Sequence, residues 1–116
     1  LQVAIKCADL GHLAASGPVH VRWVRALEEE LFLQGDRERA AGLAVSPLMD
    51  RGRAGVTRSQ LGFFDIVALP LFRSFCARYP AAEPMLAAVR ENYALWRAEA
   101  ARRKAAAAAA ADGGGD

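Results

Sequence analysis

Two cysteines, Cys7 and Cys76, and two histidines, His12 and His20, are all that these 116 residues hold of either type. No paired Cys/His spacing links them, which argues against a structural zinc site. Each cysteine sits in an apolar context and reads as a reduced, buried thiol rather than half of a disulfide. An excess of one charge is also missing. Lys and Arg number 15 against 13 Asp and Glu, and a net +2 is too small to argue for nucleic acid or a membrane surface as partner. The best candidate for a membrane-crossing run is interrupted by Asp65, Pro70 and Arg73. No stretch alternates as a strand does, and no Gly-rich phosphate loop or Ser-His-Asp ordering occurs.

What is present is apolar and helical. Hydrophobic residues make up 53% and charged residues 24%, the balance of a folded domain with a modest core. The expected fold class is all-α. The sequence begins at Leu1, not at a methionine, and Leu1 already lies inside a helix-like pattern, so a piece of a longer protein is expected. "LQVAIKCADL" is the end of a helix stopped near Gly11, followed by a connector with Ser16 as N-cap and Pro18 in the first turn. From Pro18 to about Gln34, Trp23, Leu27 and Leu31 form one stripe, with Val24 and Phe32 beside it. Arg25 and Glu29 are spaced to pair on the wet face, Gly35 is expected to end the helix, and Asp36 to cap a short one after it.

Gly42, Pro47, Gly52 and Gly55 mark the next stretch as loop. Thr57 or Ser59 then starts an apolar helix that Pro70 should kink or divide. The last helix begins near Glu83 and Pro84 and carries Leu86, Val89, Tyr93 and Trp96 on one face. Residues 1–97 form the folded part. Residues 98–116 are an Ala/Gly-rich tail, expected to run on as helix and fray at Gly113.

Within "SQLGFFD", Gln60 and Phe63 share a helical face. An amide offers a donor and an acceptor side by side, and a phenyl ring can cover a flat heterocycle. The pair is therefore a candidate clamp for a nucleobase, against the plainer alternative of Gln60 in an exposed first turn and Phe63 in the core. Asp9 is costly to bury alone and is either a cap, a salt-bridge partner or a metal ligand. A three-ligand metal site would need Asp9, His12 and His20 together, and His20 reads better as a packed or surface residue. Of Glu28 to Glu30, one is expected to cap or bridge inward and the others to face water.

In order, "KCADLGH", "HVRWVRALEEELFLQGDRERAAGLAVSPLMDR" and "SQLGFFD" resemble the C-terminal half of the cyclic-nucleotide phosphodiesterase catalytic domain. The match runs from about Ile5 to Phe72, with a weaker echo to "ENYALW". The resemblance implies an all-helical bundle that hydrolyses cyclic AMP or cyclic GMP to the 5′ monophosphate in signal transduction. It implies two divalent metal ions, zinc with magnesium or manganese, and action in the cytoplasm or on the cytosolic face of a membrane. By the same resemblance Asp9 is a metal ligand, Gln60 hydrogen-bonds the purine, Phe63 stacks on it, and Leu10 lines the far side of the slot. By the resemblance His12 would lie near the base or the pocket wall.

Two departures stand inside the match: Glu28 where an apolar residue is common, and Gly11 where serine is common. The family's histidine motifs, which hold most of the metal ligands and the general acid, are absent from these residues. The expected partners are a cyclic nucleotide and the N-terminal half of the same catalytic domain. The chain alone should then be inactive, with apolar surface left bare around Phe63 to Phe75. The alternative is a non-catalytic helical module that binds a nucleotide or a partner.

Overall fold

The computed structural model describes residues 1–112, and every regular element among them is helical. Helix α1 spans Gln2–Asp9 and buries Cys7. A 3-10 turn, Gly11–Ala14, buries Leu13 and leads to α2, Gly17–Ala40. Pro18 lies in the first turn of α2, where a missing N–H leaves no bond unmade. Ser16 precedes it at the N-cap, where its carbonyl, not its hydroxyl, accepts from the His20 amide at 2.8 Å. Residues 42–55 are irregular. A 3-10 turn, Val56–Ser59, then opens α3, Gln60–Phe63. A π-helical turn, Phe64–Ala68, and α4, Leu69–Arg78, continue it without a break. After a last 3-10 turn, Pro80–Ala82, helix α5 runs Glu83–Asp112.

The core forms where α1, the first 3-10 turn, α2, α4 and α5 meet. Phe64, Ala68, Phe72 and Cys76 recur every fourth residue and so share one buried face. Leu86, Val89 and Trp96 answer from α5, with Leu13 and Val24 completing the cluster. Burial of each large apolar side chain stabilises by roughly 1.5–3 kcal/mol. Asn92 sits in the same α5 stripe, only 2% exposed. Its Nδ2 donates to the carbonyls of Leu13 at 2.8 Å and Ala15 at 2.9 Å, tying α5 to the connector between α1 and α2.

Several local expectations are corrected by packing. Gly35 does not end α2, which runs on to Ala40. It is buried, and a Cβ there would run into the Met49 carbonyl, so glycine lets the loop backbone lie against the helix. Asp36 accordingly caps nothing and pairs with Arg51 at 3.0 Å; Glu29 also pairs with Arg51, not with Arg25. The buried residues of α2 are His20, Val24 and Gly35, whereas Trp23 is 61% exposed and Leu27 41% exposed. Neither Thr57 nor Ser59 caps the third helix with its side chain. The Glu28 carboxylate reaches across from α2 to accept from the Thr57 amide at 2.9 Å.

Pro70 changes the helix register without dividing the helix. In the π turn the Leu69 amide donates to the Phe64 carbonyl, five residues back, immediately before a proline ring that would crowd the Ile66 carbonyl. The combined helix Val56–Arg78 is long and apolar enough to cross a membrane by length and composition, despite its interruptions. Its inward face packs in the core, while Ile66 is 78% exposed. Helix α5 passes residue 97 without a break. Glu99 and Arg103 border an open polar hollow beside Arg51, so the first turns of the expected tail do have neighbours. The expected fraying at Gly113 lies outside the described residues. Both cysteines are free and buried.

Because Asn92 fills one buried and one half-buried main-chain acceptor at once, Asn92→Ala is expected to destabilise by about 2–3 kcal/mol in urea unfolding. A loss under about 0.5 kcal/mol, the range of ordinary surface changes, would show the tie to be dispensable.

Candidate functional site

Leu10, His12, Gln60 and Phe63 line one cavity of about 280 Å³. Leu10 and His12 come from the connector after α1, Gln60 and Phe63 from one turn of α3. Val24 and Leu27 on α2, Leu48 in the loop and Val56 complete its apolar walls. The volume is near the lower end of the range for small-molecule sites, about 300–1,000 Å³.

Gln60 is not in an exposed first turn: only 4% of it is accessible. Its Nε2 donates to the Val56 carbonyl at 3.2 Å. A carbonyl can only accept, so the amide orientation is set, and Oε1 is left buried without a protein partner. A buried acceptor with no partner is unfavourable by about 1–3 kcal/mol. The site therefore carries an unmet hydrogen bond beside a half-buried phenyl ring, in otherwise apolar surroundings.

His12 is held in the cavity wall by a chain of hydrogen bonds. The Trp96 indole N–H donates to His20 Nε2 at 2.8 Å. Indole nitrogen only donates, so this nitrogen of the neutral His20 ring is bare and its proton sits on Nδ1. That Nδ1–H donates to the His12 carbonyl at 3.1 Å. His12 Nδ1 lies 3.2 Å from His20 Nδ1 and can only accept there, which places its own proton on Nε2. The two rings lie nearly parallel, and the Trp23 ring stacks beside His12. Burial lowers the pKa of both histidines, and proximity to His12 lowers that of His20 further. Protonating His20 would also set a second N–H against that of Trp96.

Asp9 is exposed at the C-terminal end of α1 and does not line the cavity. Among the described residues it makes neither an ion pair nor a hydrogen bond, so cap and salt bridge are both ruled out there. No group of three His, Cys, Asp or Glu capable of holding a metal ion occurs among them. His12 and His20 bond to each other, His20 also accepts from Trp96, and neither joins Asp9 in a ligand set. Glu28 is the inward bridge expected from the glutamate run; its carboxylate fills the space a Cβ on Gly55 would take.

Sequence reasoning passed over His20 and Trp96 as site-shaping residues, although a buried indole N–H needs an acceptor. The wall residues Val24, Leu27, Leu48 and Val56 carried no local signal.

The sequence profile of the 3′,5′-cyclic nucleotide phosphodiesterases matches residues 1–89. A 3′,5′-cyclic-AMP phosphodiesterase of Drosophila melanogaster, isoform F, is 40% identical over 93 residues, covering 79% of this chain and 14% of its own length. The dual specificity calcium/calmodulin-dependent phosphodiesterase 1B of Bos taurus is 44% identical over 72 residues, 62% of this chain and 14% of its own. The solved structure of LmjPDEB1 in complex with IBMX superimposes with a TM-score of 0.73 at 30% identity, over 82% of this chain and 29% of that one. The chain belongs to the 3′,5′-cyclic nucleotide phosphodiesterase family. It spans 14% of the length of each of the two curated relatives and 29% of the solved chain.

With both folded histidine pKa values below the unfolded value of about 6.5, the unfolded chain takes up more protons as the pH falls through that window. Stability is therefore complete above about pH 6.5 and declines as pH drops toward the folded values. Thermal melts from pH 8 to pH 5 should show this fall. Trp96→Phe, lacking the N–H that opposes His20 protonation, should start less stable and show a shallower pH dependence. An identical slope in both proteins would contradict the hydrogen-bond chain.

Proposed function

We propose that the protein containing this chain hydrolyses the 3′ phosphoester of a 3′,5′-cyclic nucleotide, and that this segment supplies the purine-binding side of the active site. The observation that carries the reading is the unmet Oε1 of Gln60, buried in an apolar cavity beside Phe63. A purine offers what that cavity lacks: a flat apolar face for the phenyl ring and an edge that hydrogen-bonds the amide. As oriented, Oε1 accepts from an exocyclic amine such as that of adenine. Turned over, the amide would surrender Val56 and present a donor, as a guanine carbonyl requires. Leu10 would close the slot on the side away from Phe63, and His12 would form part of its wall.

Asp9 would contribute one ligand to a centre of two divalent ions, zinc with magnesium or manganese. Its carboxylate is exposed and unpaired among the described residues, and the partial negative charge at the end of α1 makes that place favourable for a cation. One carboxylate fits one coordination position and not a whole site, since zinc takes about three protein ligands in enzymes. The remaining ligands would come from the rest of the parent protein. The bound ions supply the electrophilic and water-activating chemistry. This chain's residues bind and orient the base, so that the phosphate is presented at a fixed distance from them.

The same reading assigns the N-terminal half of the catalytic domain as partner. Val3, Ile5, Trp23, Leu27, Ile66 and Val67 are exposed apolar side chains that such a partner would cover.

In the full-length enzyme, Phe63→Ala should weaken cyclic nucleotide binding by about 1–3 kcal/mol. Gln60→Ala should weaken it about tenfold. Calorimetric titration with cyclic AMP and cyclic GMP decides this, and undiminished affinity in both variants would remove the purine clamp. The 116-residue chain supplied with zinc and magnesium should not hydrolyse cyclic AMP. Turnover by it alone would refute the need for ligands from elsewhere.

A further inference from the structure

Residues 42–55 are irregular, yet they are bound down along one side of α2. Ahead of Leu48, the amide and hydroxyl of Ser46 donate to Glu38 at 2.8 and 2.9 Å. Behind it, the Met49 carbonyl fits against Gly35, and Asp50 accepts from Arg39 at 2.9 Å. Arg51 then makes the densest set of contacts. Its guanidinium meets Glu29 through two bonds of 2.8 and 2.9 Å and Asp36 through bonds of 3.0 and 3.2 Å. It also lies over the Phe32 ring, 5.2 Å from the centroid. Glu29, Phe32 and Asp36 are spaced three and four apart, so they form a single stripe of α2.

Between these anchors Leu48 has φ of 65°, in the left-handed region that a branched side chain avoids. A backbone held there persists only where its surroundings over-determine it. Leu48 is also the loop residue in the wall of the cavity that holds Gln60 and Phe63. Arg51 does not line that cavity, so any influence it has on a ligand passes through the loop.

We propose that Arg51 is a positioning residue for the nucleotide pocket: clamped on Glu29, Asp36 and Phe32, it holds the loop against α2 so that Leu48 closes the wall. The role rests on the purine-pocket reading above. An isolated exposed ion pair contributes little. A planar fork shared by two carboxylates and an aromatic face fixes orientation as well as proximity, which a lysine ammonium does not. The amide of Ser46 holds the Glu38 carboxyl below its usual pKa, and that of Gly52 does the same for Asp50, so the neighbouring anchors are charged at neutral pH.

Two readouts test it. In the full-length enzyme, Arg51→Gln should raise KM for cyclic AMP about tenfold while kcat stays within about twofold, the pattern of lost binding rather than lost chemistry. Arg51→Lys should fall between Arg51→Gln and the unaltered protein. In the chain itself, amide hydrogen exchange at residues 46–50 should quicken in Arg51→Gln while residues 68–76 stay protected. An unchanged KM, or unchanged exchange at 46–50, overturns the proposal. Should Arg51→Gln not fold, Arg51→Lys is judged by the same two readouts. Gln60→Ala run alongside separates the two ideas. If Gln60→Ala raises KM and Arg51→Gln does not, only the positioning role falls; if neither does, the purine pocket itself is wrong.

Discussion

A single hydrogen bond, from the Trp96 indole to His20, joins parts of the chain that are 76 residues apart in sequence. It holds α5 against α2, and because indole can only donate, it also decides which nitrogen of His20 carries the proton. That choice propagates. The proton on Nδ1 faces the His12 carbonyl and leaves His12 Nδ1 an acceptor, so a contact deep in the core settles how His12 stands in the cavity wall. Asn92, one turn earlier on α5, fastens the same connector through the carbonyls of Leu13 and Ala15. The cavity-facing residues of the connector are thus held from behind by two polar side chains of the last helix.

Helix α2 acts as a spine between two different neighbours. Near its start, His20 and Val24 enter the core; toward its end, Glu29, Phe32, Asp36 and Glu38 receive the loop. Glu28 joins the two regions by reaching past Gly55 to cap the turn that opens α3. The cavity lies where these parts converge, with α3 supplying the amide and ring and the loop supplying Leu48. The π turn that follows Phe63 lets the helix continue through Pro70, so that Phe64, Ala68 and Phe72 keep their places in the core while Gln60 and Phe63 remain at the cavity. Tyr93 strengthens this junction by donating to Asp65 at 2.6 Å and stacking on Phe64.

The all-helical class was legible from periodicity, because apolar spacing of three and four residues reports a buried helical face whatever packs on it. Gln60 and Phe63 were legible as a pair for the same reason: neighbours on one turn must share a side. The family resemblance added Leu10 and His12, and the structure brings all four to one cavity. The neighbours of Gly35, Glu29 and Asp36 were not legible. Local rules read a glycine as a helix end and an Arg–Glu spacing as a pair, but each of these residues answers a loop that returns from later in the chain.

Sequence alone settled what could be decided within a turn or two of helix: the element type, and that Gln60 and Phe63 stand on one side of it. Tertiary structure decided which face of α2 is buried, how Gln60 is oriented, which nitrogen of each histidine is protonated, and where Leu48 stands. The physical reason is that each of these depends on a partner brought close only by folding. A donor's orientation is set by the acceptor it finds, and no spacing along the chain reveals an acceptor tens of residues away.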